Sequence, residues 1–148
     1  MIVAWLDRLL GRVTMYVLVV GWLAVLAVAA LVLTFVPGAL SFSPLALLAS
    51  ASVLLVVSYL ANGIAGIVFR TRPQLSSTII TALLLLFIFT PSIDVLPLAG
   101  LALAAFVAVL TKYLLAWRGR HIFNPAAAAA FIVGFPGLPF GFATWWVG

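Results

Sequence analysis

The scarcity of charge constrains this chain more than any other feature of its sequence. Of its 148 residues only 6% are charged, whereas 68% are hydrophobic. A water-soluble globular fold needs polar residues to cover its core, and this composition leaves too few of them. Uncharged apolar runs of about 20 residues instead suit helices that cross a hydrocarbon core. The sequence therefore predicts an all-α integral membrane protein in contact with the lipid bilayer.

The apolar runs divide the chain into a single membrane domain over residues 1–148, with about five transmembrane helices, two of them short. Residues 1–12 are expected to form an interfacial helix anchored by Trp5. The expected spans are 13–36, 45–69, 77–90, 95–117 and 125–140. Because the apolar ending PGLPFGFATWWVG is followed by neither a polar tail nor a basic stop, we expect the chain to be the N-terminal part of a longer protein.

All the basic residues fall on one side of the membrane if these spans alternate in direction. The loops PGALSFS and TPSIDVLP on the other side contain no Lys or Arg. Since positive charge is retained in cytoplasmic loops, the N-terminus is predicted to be cytoplasmic. The net charge of +5 is thereby explained by basic residues that mark the cytoplasmic side of the membrane, and no nucleic-acid partner is predicted. The basic residues are Arg8, Arg12, Arg70, Arg72, Lys112, Arg118 and Arg120.

Spans three and five begin in the same way. Their entrances read VFRTRPQLSSTIITALLLLF and AWRGRHIFNPAAAAAFIVGF, each with an aromatic residue, Arg-x-Arg, a helix start and a short apolar run. Short, proline-interrupted segments in corresponding positions indicate a binding site between half-helices, whose N-termini attract anions. Asn124 is the expected cap of the fifth helix, and Ser76 or Ser77 of the third. Alternatively, the arginines only mark the cytoplasmic side and the caps only start helices.

Polar residues within the spans have two interpretations each. Ser58, Asn62 and Gly66 form one small polar face, which favours a packing seam where Asn bonds to a neighbouring helix. Hydroxyls such as that of Thr81 can bond back to the carbonyl one turn earlier. Lys112 can extend to the membrane interface, which is the default, or point inward at a ligand. The alanines 126–130 either let helices approach closely or form a flat wall for a planar ligand.

Several site chemistries are excluded by what the sequence lacks. It has no cysteine, one His and two carboxylates, Asp7 and Asp94. Disulfides, thiolate-bound iron–sulfur clusters and Cys-based zinc sites are therefore absent from this chain. No metal site and no catalytic residue are predicted.

The strings SSTIITALLLL (76–86), Lys112 and HIFNPA (121–126) occur in an order that resembles a known membrane family. It is the family of membrane proteins shared by the Rnf electron-transport complex and the sodium-pumping NADH:quinone reductase. The resemblance covers about residues 70–130. Asn-Pro-Ala also occurs in aquaporins, but a single copy after the fourth span is a poor match to their paired half-helices.

The resemblance implies a bundle of two inverted repeats, similar to urea transporters, with these five spans as the first repeat. It also implies a flavin-dependent electron-transport component, ion-coupled, in a bacterial-type inner (plasma) membrane. Its cofactor would be FMN or riboflavin, and its partners other membrane subunits or a fused redox domain. The family's flavin-attachment motif Ser-Gly-Ala-Thr is absent from residues 1–148, and Thr144 in GFAT is not assigned that role. The residues placed near the cofactor would be Ser77, Thr81, Lys112 and Asn124.

Two other functions fit the same residues. The chain can be half of a solute transporter or channel that binds an anionic or polar solute at the paired helix entrances. It can also be a membrane anchor whose motifs are structural.

Overall fold

A computed structural model describes residues 14–117, 120–121 and 123–137. The predicted interfacial helix (1–12) and the end of the predicted fifth span lie outside this part of the chain. The helices are α1 (Met15–Leu33), α2 (Pro44–Val68), α3 (Leu75–Ile88), α4 (Val95–Leu114) and α5 (Pro125–Ala129). After α5 the chain continues as a π-helical turn (Ala130–Gly134) and a last helical turn (Phe135–Gly137).

The predicted fold class is confirmed at the level of an all-helical bundle. Among the described residues, α1, α2 and α4 are long and apolar enough to cross a membrane. The 14 residues of α3 extend roughly 21 Å at 1.5 Å per residue, less than a hydrocarbon core of about 30 Å. The segment Pro125–Gly134 is shorter still. The prediction that two of the five helices are short is therefore confirmed.

The helix boundaries differ from the predicted spans by up to three residues, and two of the differences lie next to candidate site residues. We expected the fourth span to reach residue 117, but α4 ends at Leu114. Ala116–Trp117 and Arg120–His121 then pair as two short antiparallel strands, β1 and β2, because the chain reverses direction here. The third helix begins at Leu75, two residues earlier than expected, and its N-cap residue is Gln74. Ser76 and Ser77 lie in its first turn, so the prediction that one of them caps the helix is wrong.

The bundle is apolar outside and holds polar side chains inside. Large apolar residues such as Trp22, Ile67 and Val95 are 64%, 80% and 85% exposed, whereas Ser50 and Ser58 are fully buried. In lipid an outward apolar face carries no solvation penalty, while hydroxyl groups gain from partners within the bundle. This distribution fits direct contact with a bilayer.

Contacts at the two ends of the bundle fix the direction of the helices. At one end, the Ser50 hydroxyl of α2 accepts from the Ser92 N–H (3.0 Å) and donates to the Ser92 carbonyl (3.2 Å) in the α3–α4 loop. At the other end, the Phe69 ring stacks on Tyr113 of α4, with ring centroids 5.1 Å apart. α2 and α4 therefore run in the same direction and α3 runs against them.

This arrangement places several cations together. Arg70 and Arg72 follow α2, and Lys112 lies in the last turn of α4. All three therefore lie at one end of the bundle, which we call the basic end. Their common placement agrees with the charge pattern that the sequence shows.

The turn after α2 is closed by backbone hydrogen bonds. The Thr71 N–H donates to the Gly66 carbonyl (3.0 Å) and the Arg70 N–H to the Ile67 carbonyl (3.3 Å). This is a Schellman motif, in which the left-handed position is normally glycine. Here Arg70 occupies it with a φ of 51°. An L-residue with a side chain costs roughly 1 kcal/mol more than glycine in this conformation.

Small residues allow close packing between the helices. Ala104, Ala105 and Ala108 of α4 are fully buried, and they share one apolar core with Ala126 and Ala129 of α5. Ala126 and Ala129, in the alanine run after Asn124, therefore let α5 approach α4 closely. Close helix packing was one of the two interpretations of this run, and a flat wall for a planar ligand was the other. Ala126 and Ala129 do not form an open wall.

Gly66 gives a direct test of this packing. A Cβ atom at Gly66 would lie 2.6 Å from Pro73 Cγ, whereas one at Gly63 would meet nothing within 4 Å. We expect Gly66→Ala to lower the free energy of unfolding by about 1–3 kcal/mol, because the turn after α2 must shift. Gly63→Ala is the matched control and should not destabilise the protein. Thermal unfolding in detergent measures both, and equal losses would contradict this packing.

Candidate functional site

The side chain of Lys112 points into the bundle at its basic end. It is 7% exposed, and its Nζ atom donates to the Ser77 carbonyl at 3.0 Å. Extension to the membrane interface, the default expectation for a lysine near a helix end, is therefore not what the structure shows. The side chain points inward, and its hydrogen bond joins the last turn of α4 to the first turn of α3.

The same carbonyl oxygen receives a second donor. The Thr81 hydroxyl donates to the Ser77 carbonyl at 2.8 Å, and the Thr78 hydroxyl likewise bonds back to the Gln74 carbonyl at 3.2 Å. The expectation that hydroxyls on α3 bond to the preceding turn is confirmed. Three of the four predicted site residues, Ser77, Thr81 and Lys112, thus meet at one carbonyl oxygen.

The charge on Lys112 has no carboxylate close to it in the described part of the chain. Asp94, the only carboxylate there, is the N-cap residue of α4, 18 residues and roughly 27 Å from Lys112 along that helix. Burial of a cation beside a neutral carbonyl carries a solvation cost that an anion would offset. The arrangement is therefore suited to holding an anionic group.

The backbone of α3 adds to this positive character. Gln74 makes no side-chain hydrogen bond to the N–H groups of the first turn. Helix N-termini carry a partial positive charge and point unpaired N–H groups outward. Lys112 is hydrogen-bonded to this same first turn. The positive charge of its ammonium group and the positive end of the α3 dipole therefore lie close together.

Asn124 lies apart from the three converging residues. Its side chain is exposed, and its Oδ1 atom accepts from the Ala126 N–H at 3.0 Å. This confirms Asn124 as the N-cap of α5, with Pro125 at the first helical position. In the described residues its hydrogen bond is local to α5, and the structure gives no contact that unites it with Lys112.

Tyr113 is a further residue of the site, and its role was not predicted from the sequence. Its hydroxyl donates to Asn62 Oδ1 at 2.8 Å, joining α4 to the polar face of α2. The prediction that Asn62 bonds to a neighbouring helix is confirmed by this contact. The sequence does place a tyrosine directly after the lysine of the fourth span. A tyrosine hydroxyl within a membrane needs a hydrogen-bond partner, so this position indicated a polar contact.

The polar seam still has bonding capacity that the described residues do not use. The Ser58 hydroxyl and the Asn62 Nδ2 atom are buried and have no hydrogen-bond partner in this part of the chain. Buried polar atoms of this kind are rare and costly in folded proteins. No cluster of three or more metal-ligating side chains occurs among the described residues. The side chain of His121 lies outside them.

The cap at Asn124 can be tested separately from Lys112. We expect Asn124→Ala to lower the free energy of unfolding by about 1 kcal/mol, because the Ala126 N–H loses its acceptor. Asn124→Ser is the matched control, since a serine hydroxyl can accept the same bond. Thermal unfolding of both variants in detergent measures the effect. If alanine and serine are equally stable, the cap contributes nothing.

Comparison with known proteins adds no identification. No family model matches the chain, no curated protein matches it, and no solved structure matches it. The resemblance to the membrane proteins of the Rnf complex and the NADH:quinone reductase therefore stays a prediction, carried by the short motifs quoted above.

Proposed function

We propose that the chain is a membrane component of a flavin-dependent electron-transport oxidoreductase that holds FMN or riboflavin at its basic end. The observation that carries the proposal is the buried ammonium group of Lys112, which has a neutral carbonyl as its partner at 3.0 Å and, among the described residues, no carboxylate close to it. A charged side chain within a membrane carries a large free-energy cost, and such side chains usually mark binding sites or the pathways of ions and protons. The choice of a flavin as the ligand rests on the resemblance of the sequence motifs to those of the Rnf and NADH:quinone reductase membrane proteins.

The described residues fit the anionic part of such a cofactor. Lys112 and the uncapped first turn of α3 would hold a phosphate or a negatively charged ring, because both present positive charge. A flavin supplies the redox chemistry, and a protein tunes it by placing charge near the ring. Burial of Ala126 and Ala129 against α4 excludes these two alanines from any ring-binding wall.

The remaining site residues would act in a supporting way. The Thr81 hydroxyl already bonds to the Ser77 carbonyl, so it would fix that carbonyl rather than touch a cofactor. Asn124 would orient α5 through its cap. An electron donor and an acceptor must come from other membrane subunits or a fused redox domain. In this proposal the five helices form the first repeat of an inverted-repeat bundle.

A second function is favoured by the two short helices. α3 begins beside Lys112, and α5 follows α4 through the β1–β2 reversal, so both begin at the basic end. Such paired half-helices are typical of transporters that bind an anionic solute. The alternative is therefore half of a solute transporter or channel, with Lys112 as the solute's counter-charge.

Lys112→Met tests the flavin proposal without disturbing the fold. Methionine has a similar length, and the Ser77 carbonyl keeps its bond from Thr81. We expect the variant to be at least as stable as the natural protein, because a buried charge is removed. We also expect flavin affinity to fall about tenfold to a hundredfold, as for loss of a hydrogen bond to a charged group. Lys112→Arg, which keeps the charge, should retain more flavin.

The measurement is the flavin absorption of protein purified in detergent from its native membrane, with in-gel fluorescence to separate covalent from released flavin. A folded Lys112→Met variant with unchanged flavin content would show that Lys112 does not hold the cofactor. A colourless natural protein would contradict the flavin proposal altogether. Binding of an anionic solute that depends on Lys112 would then support the transporter function.

A further inference from the structure

An open groove runs along the outer side of α2 at the basic end. Its volume is about 450 Å³, and it extends roughly 12 Å along the helix from Tyr59 to Ile67. Tyr59 and Asn62 are the polar residues on its wall. A smaller cavity of about 140 Å³ shares Tyr59 and Leu75 with it and continues between α2 and α3. The apolar lining consists of Leu60, Gly63, Ile64, Ile67, Pro73 and Leu75.

Two arginines lie at the mouth of this groove. Ile67 and Pro73 both line it, and the turn between them carries Arg70 and Arg72. Both arginines are exposed, and Asp94, the carboxylate of the described residues, lies at the opposite end of the bundle. The groove is therefore apolar along its length and has positive charge at one end only.

We propose that this groove binds an anionic phospholipid, with an acyl chain along α2 and the phosphate group beside Arg70 and Arg72. The charge pattern selects this occupant, because a phospholipid has its negative charge at one end of an apolar chain. A second copy of this chain fits less well. A two-fold interface would bring the same patch of each copy together, and therefore the same arginines.

The shape of the groove depends on Gly63. A Cβ atom at this position meets nothing within 4 Å, so a larger side chain would project into the groove without disturbing the bundle. Gly21 on α1 is a matched control, because a Cβ there also meets nothing within 4 Å and the residue is exposed on another helix. The lipid site is separate from Lys112 and does not depend on the flavin proposal.

The test is a titration of the detergent-purified protein with phosphatidylglycerol or with phosphatidylcholine of the same acyl chains. Thermal stability and native mass spectrometry report binding. We expect saturable binding of phosphatidylglycerol only. The variant Arg70→Gly with Arg72→Gln should lose about fivefold in affinity for each arginine removed. Its turn should fold at least as well, because glycine suits the left-handed position of residue 70.

Gly63→Leu should abolish saturable binding by filling the groove, whereas Gly21→Leu should not change it. Lys112→Met should bind the lipid normally, which separates this site from the flavin site. Equal binding of the two lipids, or equal behaviour of Gly63→Leu and Gly21→Leu, would overturn the proposal. A natural dimer that Gly63→Leu converts to a monomer would overturn it in favour of a second copy as the occupant.

Discussion

The inward direction of the Lys112 ammonium group, which donates a hydrogen bond to the Ser77 carbonyl, decides where positive charge lies inside the basic end. This hydrogen bond ties the last turn of α4 to the first turn of α3 at 3.0 Å. A flexible cation near a helix end would otherwise extend to the headgroups, where water and phosphate solvate it. Its inward direction places a full charge inside the bundle instead of at the lipid headgroups. That charge is the basis for the proposed binding of an anionic cofactor.

The same end of the bundle holds a second polar contact beside the first. Tyr113, the residue after Lys112, donates to Asn62 on α2, and its ring stacks on Phe69. α4 is thus bonded to α3 and to α2 through consecutive residues. Hydrogen bonds and small residues stabilise helix association in lipid, where apolar contact with a neighbouring helix offers little advantage over contact with acyl chains. The Ser50–Ser92 bonds supply the corresponding contact at the opposite end.

The sequence predicted the features that follow from local rules. Apolar runs located the helices, and Asn-Pro located the cap of α5, because both depend only on neighbouring residues. The start of α3 was misplaced because two serines are better capping residues than Gln74, which makes no capping bond. The direction of Lys112 and the partner of Tyr113 could not be predicted. Each depends on how far apart two helices lie, and residues 112 and 113 reach partners 35 and 51 positions away in sequence.

The inward direction of Lys112 can be measured most directly by amine labelling, because it is the only lysine in the sequence. Folded protein in membranes would be treated with a membrane-permeant amine reagent, and the labelled peptides quantified by mass spectrometry. The same protein unfolded in denaturing detergent serves as the reference. A buried, hydrogen-bonded Lys112 should react far more slowly in the folded protein than in the unfolded protein. Labelling of Lys112 at the same rate in folded and unfolded protein would contradict this structure of the site.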